Sequence, residues 1–156
     1  MRLSDLPLPP TATRVEHSTA NEINARIERE TAANVARVAA SGPAGIEQRL
    51  AELDREWDIE RTLEANAATV VLAALGLGFF VNRKWLAFPV VVAGFLLQHA
   101  LQGWCPPLPI FRRRGVRTTR EINLERTALR IVRGDFGSGT DDPGEALRLA
   151  KGADAQ

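Results

Sequence analysis

ANAATVVLAALGLGFFV, residues 65–81, and WLAFPVVVAGFLLQHALQGW, residues 85–104, contain no Asp, Glu, Lys or Arg, and only Asn82, Arg83 and Lys84 separate them. A membrane-crossing helix needs about 20 predominantly apolar residues at about 1.5 Å of rise each. The first stretch meets the lower limit as a thin or tilted crossing, and the second supplies about 20 uncharged residues. Trp85 and Trp104 stand at its two ends, where the interfacial preference of indole places them. The two stretches together predict a membrane helical hairpin over residues 65–104. The competing reading is a soluble bundle that buries the same two stretches as its core.

Outside this centre the chain changes character. At 45% hydrophobic and 25% charged residues over 156 positions, the averages would suit an ordinary soluble domain. The charge is segregated, however: dense before Ala65, absent from Trp85 to Phe111, dense again afterwards. A net charge of +1 argues against a nucleic-acid partner, which calls for a strongly basic domain. Cys105 is the only cysteine, so no internal disulfide framework exists and a reducing compartment is expected. MRLSDLPLPPTATR has neither a basic start with an apolar core nor a small-residue cleavage site, so insertion is expected to use the internal spans.

Working outward, the class is all-α, with amphipathic helices before and after the hairpin. Residues 1–18, rich in Pro and Thr, read as a disordered tail. Residues 19–64 form an amphipathic helical region, with Ile23, Ile27, Val35 and Val38 at helical spacing and a break at Ser41-Gly42. Pro43 suits a first helical position, and Ile46, Leu50, Leu53 and Trp57 then share one face. Since no Gly or Pro lies between Ile46 and Leu75, that helix is expected to run on into the first span. Residues 105–136 hold a basic Pro/Arg segment, too proline-rich for regular helix, and then a helix whose Thr118 and Glu121 fit a capping box. Ile122, Leu129, Val132 and Phe136 mark its apolar face. Residues 137–156 read as a flexible tail.

Basic residues near the spans set the orientation. Arg112, Arg113, Arg114 and Arg117, with Trp85 and Trp104, are read as membrane-interface residues. The excess of Arg on the two flanks over the Arg83-Lys84 turn puts both termini in the cytoplasm. In the second span Gln98, His99, Gln102 and Cys105 are polar groups that lipid cannot satisfy. His99 is read either as a metal or haem ligand or proton relay, or as a side chain hydrogen-bonded across the hairpin to Asn66 or Thr69. Cys105 is read either as a reactive thiol beside the Arg cluster or as a small apolar residue packed in a turn. Thr69 and Ala73, and Ala74 and Gly78, are small residues four apart that let a neighbouring backbone approach. No phosphate loop, nucleophile elbow or zinc signature occurs, so no catalytic set, metal site or cofactor is expected.

The run GFLLQHALQGWCPPLPIFRRRGVRTTREI resembles the YgaP-like inner-membrane domain family, whose second membrane helix ends in Gly-[Phe/Trp]-Cys-Pro, here Gly103, Trp104, Cys105 and Pro106. The resemblance covers residues 45–136. It implies a two-helix bacterial inner-membrane module of unknown function that pairs with itself. Fused members carry a rhodanese domain; this sequence has none, so sulfurtransferase activity does not carry over. The expectation is a non-enzymatic, multi-pass protein of the bacterial inner (plasma) membrane. It would contact the lipid bilayer, self-associate as a homodimer or higher oligomer, and present helices to a cytoplasmic protein partner. Two alternatives accompany it: thiol or sulfur chemistry through Cys105, and a haem or metal module using His99.

Overall fold

The computed structural model describes residues 8–137 and 140–153, and among these every regular element is helical. Parts of both expected tails, residues 1–7, 138–139 and 154–156, lie outside them. The chain divides into two compact units, one of residues 1–20 and 59–116, the other of residues 21–58 and 117–156.

The first unit contains the short helix α1 (Arg14–His17), α4 (Ile59–Phe80), α5 (Ala87–Gln102) and α6 (Leu108–Arg113). The helices between α1 and α4 belong to the second unit. Asn82 closes α4 with its side-chain oxygen accepting from the Lys84 N–H at 2.9 Å, and a 3-10 turn at Arg83–Leu86 leads into α5. Two helical stretches, Ile59–Phe80 and Arg83–Gln102, are long and apolar enough to cross a membrane, and most of their surface is left uncovered by the rest of the protein. Leu72, Phe79, Phe80, Val81 and Val90 are all strongly exposed. Ala74 and Gly78, two of the small residues, are buried, and a side chain at Gly78 would strike Leu86. That pair is thus used within the chain, whereas Thr69 and Ala73 are exposed.

Helix α1 lies where a loose tail was expected. Val15 packs with Ile59, Leu63, Cys105 and Leu108. The Thr19 hydroxyl donates to the Val15 carbonyl at 2.7 Å and accepts from Arg112 Nε at 3.3 Å. The proline-rich segment also differs from expectation: it is helical as α6, because Pro107 caps the helix and Pro109 occupies its first turn, where no N–H partner is required.

The second unit is built from α2 (Asn21–Ala40), α3 (Gly42–Leu53), α7 (Thr119–Arg133) and α8 (Pro143–Ala153). Val35, Val38, Ile46, Leu53, Ile122, Ala128 and Leu129 form its core, joined by Ala146, Leu147 and Ala150 of α8. Helix α8 occupies part of the expected C-terminal tail. Asp142 prepares it, with Oδ1 accepting from the Gly144 N–H at 3.1 Å and Pro143 in the first helical position. Helix α7 opens on a capping box in which Thr118 and Glu121 each satisfy the other's backbone N–H, and it closes on Gly134 in the left-handed region at φ 86°.

The continuous helix expected from Ile46 to Leu75 is interrupted between Leu53 and Ile59. Three acidic side chains in the gap are taken up by α7 and the turn before it. Asp54 accepts from Arg126 at 3.0 Å, Glu56 accepts from Arg117, and Asp58 accepts from the Thr119 hydroxyl. Trp57 is consequently off the α3 stripe and half exposed.

Candidate functional site

In the first unit, one chain of polar contacts runs through otherwise apolar surroundings. It starts at Glu60, in the first turn of α4, and reaches His99, in the last turn of α5, so the two helices run antiparallel at this point. Glu60 Oε2 lies 2.8 Å from His99 Nε2. Its other oxygen accepts from Arg14 Nη2 at 2.7 Å, and Arg14 Nη1 donates to the Thr11 carbonyl at 2.8 Å. An ionised carboxylate only accepts, so His99 Nε2 carries the proton of this bond, and a neutral ring keeps its lone pair on Nδ1. Nδ1 is buried and has no hydrogen-bond partner. The Cys105 side chain lies near the ring, outside hydrogen-bonding geometry with Nδ1.

The turn after α5 brings Cys105 there. Gly103 takes φ 75°, its N–H donates to the His99 carbonyl at 2.8 Å, and the chain folds back over the end of the helix. A side chain at Gly103 would come within 2.4 Å of the Arg14 carbonyl oxygen, so glycine is needed both for the angle and for the close approach. Cys105 is then buried, 4% exposed, against Val15, Ile59, Leu63 and Leu108.

Cys105 also borders a cavity of about 360 Å³. Helix α4 contributes Leu63, Asn66, Ala67 and Val70, α5 contributes Val92, Phe95 and Leu96, and Pro106, Pro107 and Ile110 complete the lining. The sulfur and the Asn66 amide are the only side-chain polar groups in this lining.

The residues singled out from the sequence fare differently. His99 is bonded between the two helices, but to Glu60 rather than to Asn66 or Thr69; the Thr69 hydroxyl donates to Ala65 of its own helix at 2.7 Å. Gln98 is half buried, and Gln102 is exposed with its carbonyl accepting from the Ser18 hydroxyl at 3.0 Å. Trp85 and Trp104 are both partly exposed, Trp85 stacked at a tilt on Phe88. Arg113 and Arg114 are exposed. Arg112 and Arg117, expected beside them at headgroup depth, are buried instead. Arg112 donates to the Val116 carbonyl at 3.0 Å. Glu60 and Arg14 were not singled out, because the charge boundary at Ala65 left Glu60 outside the apolar stretch.

Arg117 belongs to a separate buried network in the second unit. It holds Glu56 through two bonds of 2.8 Å and also bonds Glu125, a fully buried carboxylate that Arg49 Nε reaches at 2.8 Å. The hydrogen bond that Arg49 donates to Glu125 holds Arg49 above the ordinary arginine value against the cost of burial. Burial pulls Arg117 downward, and Glu56 and Glu125 outweigh it, so this guanidinium is raised too. Every charge has a partner, and the network reads as structural.

Among the described residues no group of three or more His, Cys, Asp or Glu is arranged to hold a metal ion. What the fold defines is a class: an all-helical chain with two helices long and apolar enough to cross a membrane. No protein-family model matches this chain, and no curated protein and no solved structure is significantly similar to it.

Proposed function

We propose that the chain is a two-span integral membrane protein whose hairpin carries Cys105 as a His99-assisted reactive thiol at the membrane edge. The observation that carries this reading is the set of contacts at His99. Nε2 is bonded to Glu60, and Nδ1 is buried without a hydrogen-bond partner, near a side chain that can give up a proton. A base oriented by a carboxylate beside a thiol is the arrangement that activates cysteine nucleophiles. The bare apolar surface of the two spans supports lipid as their surroundings. Both termini in the cytoplasm of a bacterial inner membrane, and kinship with the YgaP-like domains through Gly103-Trp104-Cys105-Pro106, are parts of the same proposal.

A second reading, the non-enzymatic self-associating module, draws support from the exposed side chains of Leu72, Phe79 and Val90. It predicts no role for His99 in thiol reactivity.

The test is iodoacetamide alkylation of Cys105 in carbonate-washed membranes. Wild type should react at least tenfold faster than His99→Gln at pH 7, because glutamine keeps a bond to Glu60 but supplies no base. Equal rates would refute the thiol reading and leave the self-association module. Loss of the protein in the carbonate wash would refute the membrane reading. Maleimide labelling of Cys105 in intact and opened cells reads the orientation: labelling only after opening supports cytoplasmic termini, and labelling from outside reverses them.

A further inference from the structure

Resting on the thiol reading, we propose that Cys105 is a site of S-acylation, taking a long-chain acyl group from an acyl thioester and lodging its hydrocarbon in the cavity between α4 and α5. The cavity is the first reason. Its volume of about 360 Å³ falls in the range of roughly 300–1,000 Å³ typical of small-molecule sites. Its shape follows from the helices. Leu63, Ala67 and Val70 lie at i, i+4 and i+7, so the α4 wall continues on one face for about 10 Å at 1.5 Å of rise per residue. The α5 wall matches it with Leu96 and, one turn back, Val92. The result is an apolar slot with a sulfur at one end.

The second reason is depth. Cys105 follows Gln102, where the second apolar helix ends, so in a bilayer it stands at the edge of the hydrocarbon while the slot leads inward from it. A molecule matching this arrangement is apolar, linear and reactive only at its end. A fatty acyl thioester has that form. A small inorganic sulfur donor would gain nothing from the slot, and dithiol exchange would need a second cysteine, which the sequence does not contain.

The third reason is His99, 5% exposed, whose Nδ1 has no other claim on it. The Cys105 proton passes to Nδ1 as the sulfur attacks the acyl carbonyl. A bond forms between that carbon and Cys105 Sγ, the bond to the departing thiolate breaks, and the thiolate leaves with the proton from the imidazolium. No oxidant or reductant enters. Asn66 lines the same slot and offers an amide N–H to the carbonyl oxygen as negative charge builds there. Glu60 and Arg14 are positioning residues, acting through the ring.

The experiment is incubation of the full-length protein in lipid nanodiscs with palmitoyl-coenzyme A, followed by intact mass spectrometry. The expected product carries one added palmitoyl group that neutral hydroxylamine removes. Cys105→Ser should abolish it, and His99→Gln should slow it roughly 100-fold, in the range of general-base contributions. Val92→Trp, which fills the slot, should slow acylation at least tenfold. Helical circular dichroism equal to wild type confirms that each variant is folded. No acylation of a protein whose Cys105 still alkylates in a His99-dependent manner overturns this inference and leaves the thiol reading standing. Loss of the His99 dependence in both reactions overturns both. Acylation that ignores Val92→Trp overturns the slot as the acyl site.

Discussion

Replacing Glu125 with alanine removes a fully buried carboxylate from between two guanidinium groups. Arg49 loses bonds of 2.8 and 3.3 Å and Arg117 loses its bond to Oε2. Breaking a buried ion pair from one side costs roughly 3–5 kcal/mol, because the remaining charge stays out of water. Two features favour the lower end. Glu56 still holds Arg117 through two bonds, and it stands 3.7 Å from Arg49. The expected loss is therefore about 3 kcal/mol. With urea slopes of about 1–3 kcal/mol/M, the unfolding midpoint of the helical signal should fall by roughly 1–3 M. Glu52→Ala is the control: it removes a bond of 3.0 Å from the same Arg49, but its side chain is 43% exposed, so water screens the pair and the loss should be small beside that of Glu125→Ala. Equal small losses for Glu125→Ala and Glu52→Ala would refute the reasoning, for water would then have to reach Glu125.

Two further outcomes are expected. Asp135 accepts from Arg133 at 2.7 and 2.6 Å and from Arg130 at 3.0 Å, and these bonds hold its carboxyl down to about 2 from 3.8. Its contribution to folding is thus complete above the unfolded value and is lost as pH falls through about 2. An NMR titration should place the midpoint there, and Arg133→Gln should move it up; an unmoved midpoint would exclude Arg133 as the cause. Gly103→Ala combines left-handed backbone, at roughly 1–2 kcal/mol, with a collision against the Arg14 carbonyl. Trypsin should then cut after Arg14 markedly faster than in Gly76→Ala, where an added Cβ meets nothing. Equal cutting rates would mean that α1 does not rest on the Gly103 turn.

The all-helical class and the two apolar helices were legible in the sequence because charge is so sharply segregated along it. Cys105 and His99 were legible as polar groups in apolar company. What escaped was partnership over distance. Glu60 lies 39 residues from His99 and only five before the first apolar stretch, so nothing local marked it as the group that orients the ring. The break at residues 54–58 escaped for the same reason: no glycine or proline signals it, and the acidic side chains within it are bound by Arg126, Arg117 and Thr119, far along the chain. Arg112 and Arg117 looked like headgroup contacts because a run of arginines beside a span normally is one. Helix α8 was hidden by the Gly and Asp around it, although Asp142-Pro143 is itself a helix-start signal.

The position of Arg14 links these facts to function. Its guanidinium fixes Glu60, which fixes His99 Nε2, while its backbone carbonyl lies against Gly103, in the turn that leads to Cys105. One residue therefore sets both the direction of the base and the path of the nucleophile. Val15, next to it, packs directly on Cys105, Ile59 and Leu63, so α1 also closes one side of the thiol's surroundings. Displacing α1 would free Glu60 and the Gly103 turn together. Substitutions at Glu60 and Gly103 can separate them: Glu60→Gln loosens the ring but leaves the turn, and Gly103→Ala disturbs the turn but leaves the carboxylate. If the site works as a unit, each should slow Cys105 alkylation, and the double variant should be little slower than the worse of the two, since interactions acting through one group are not additive.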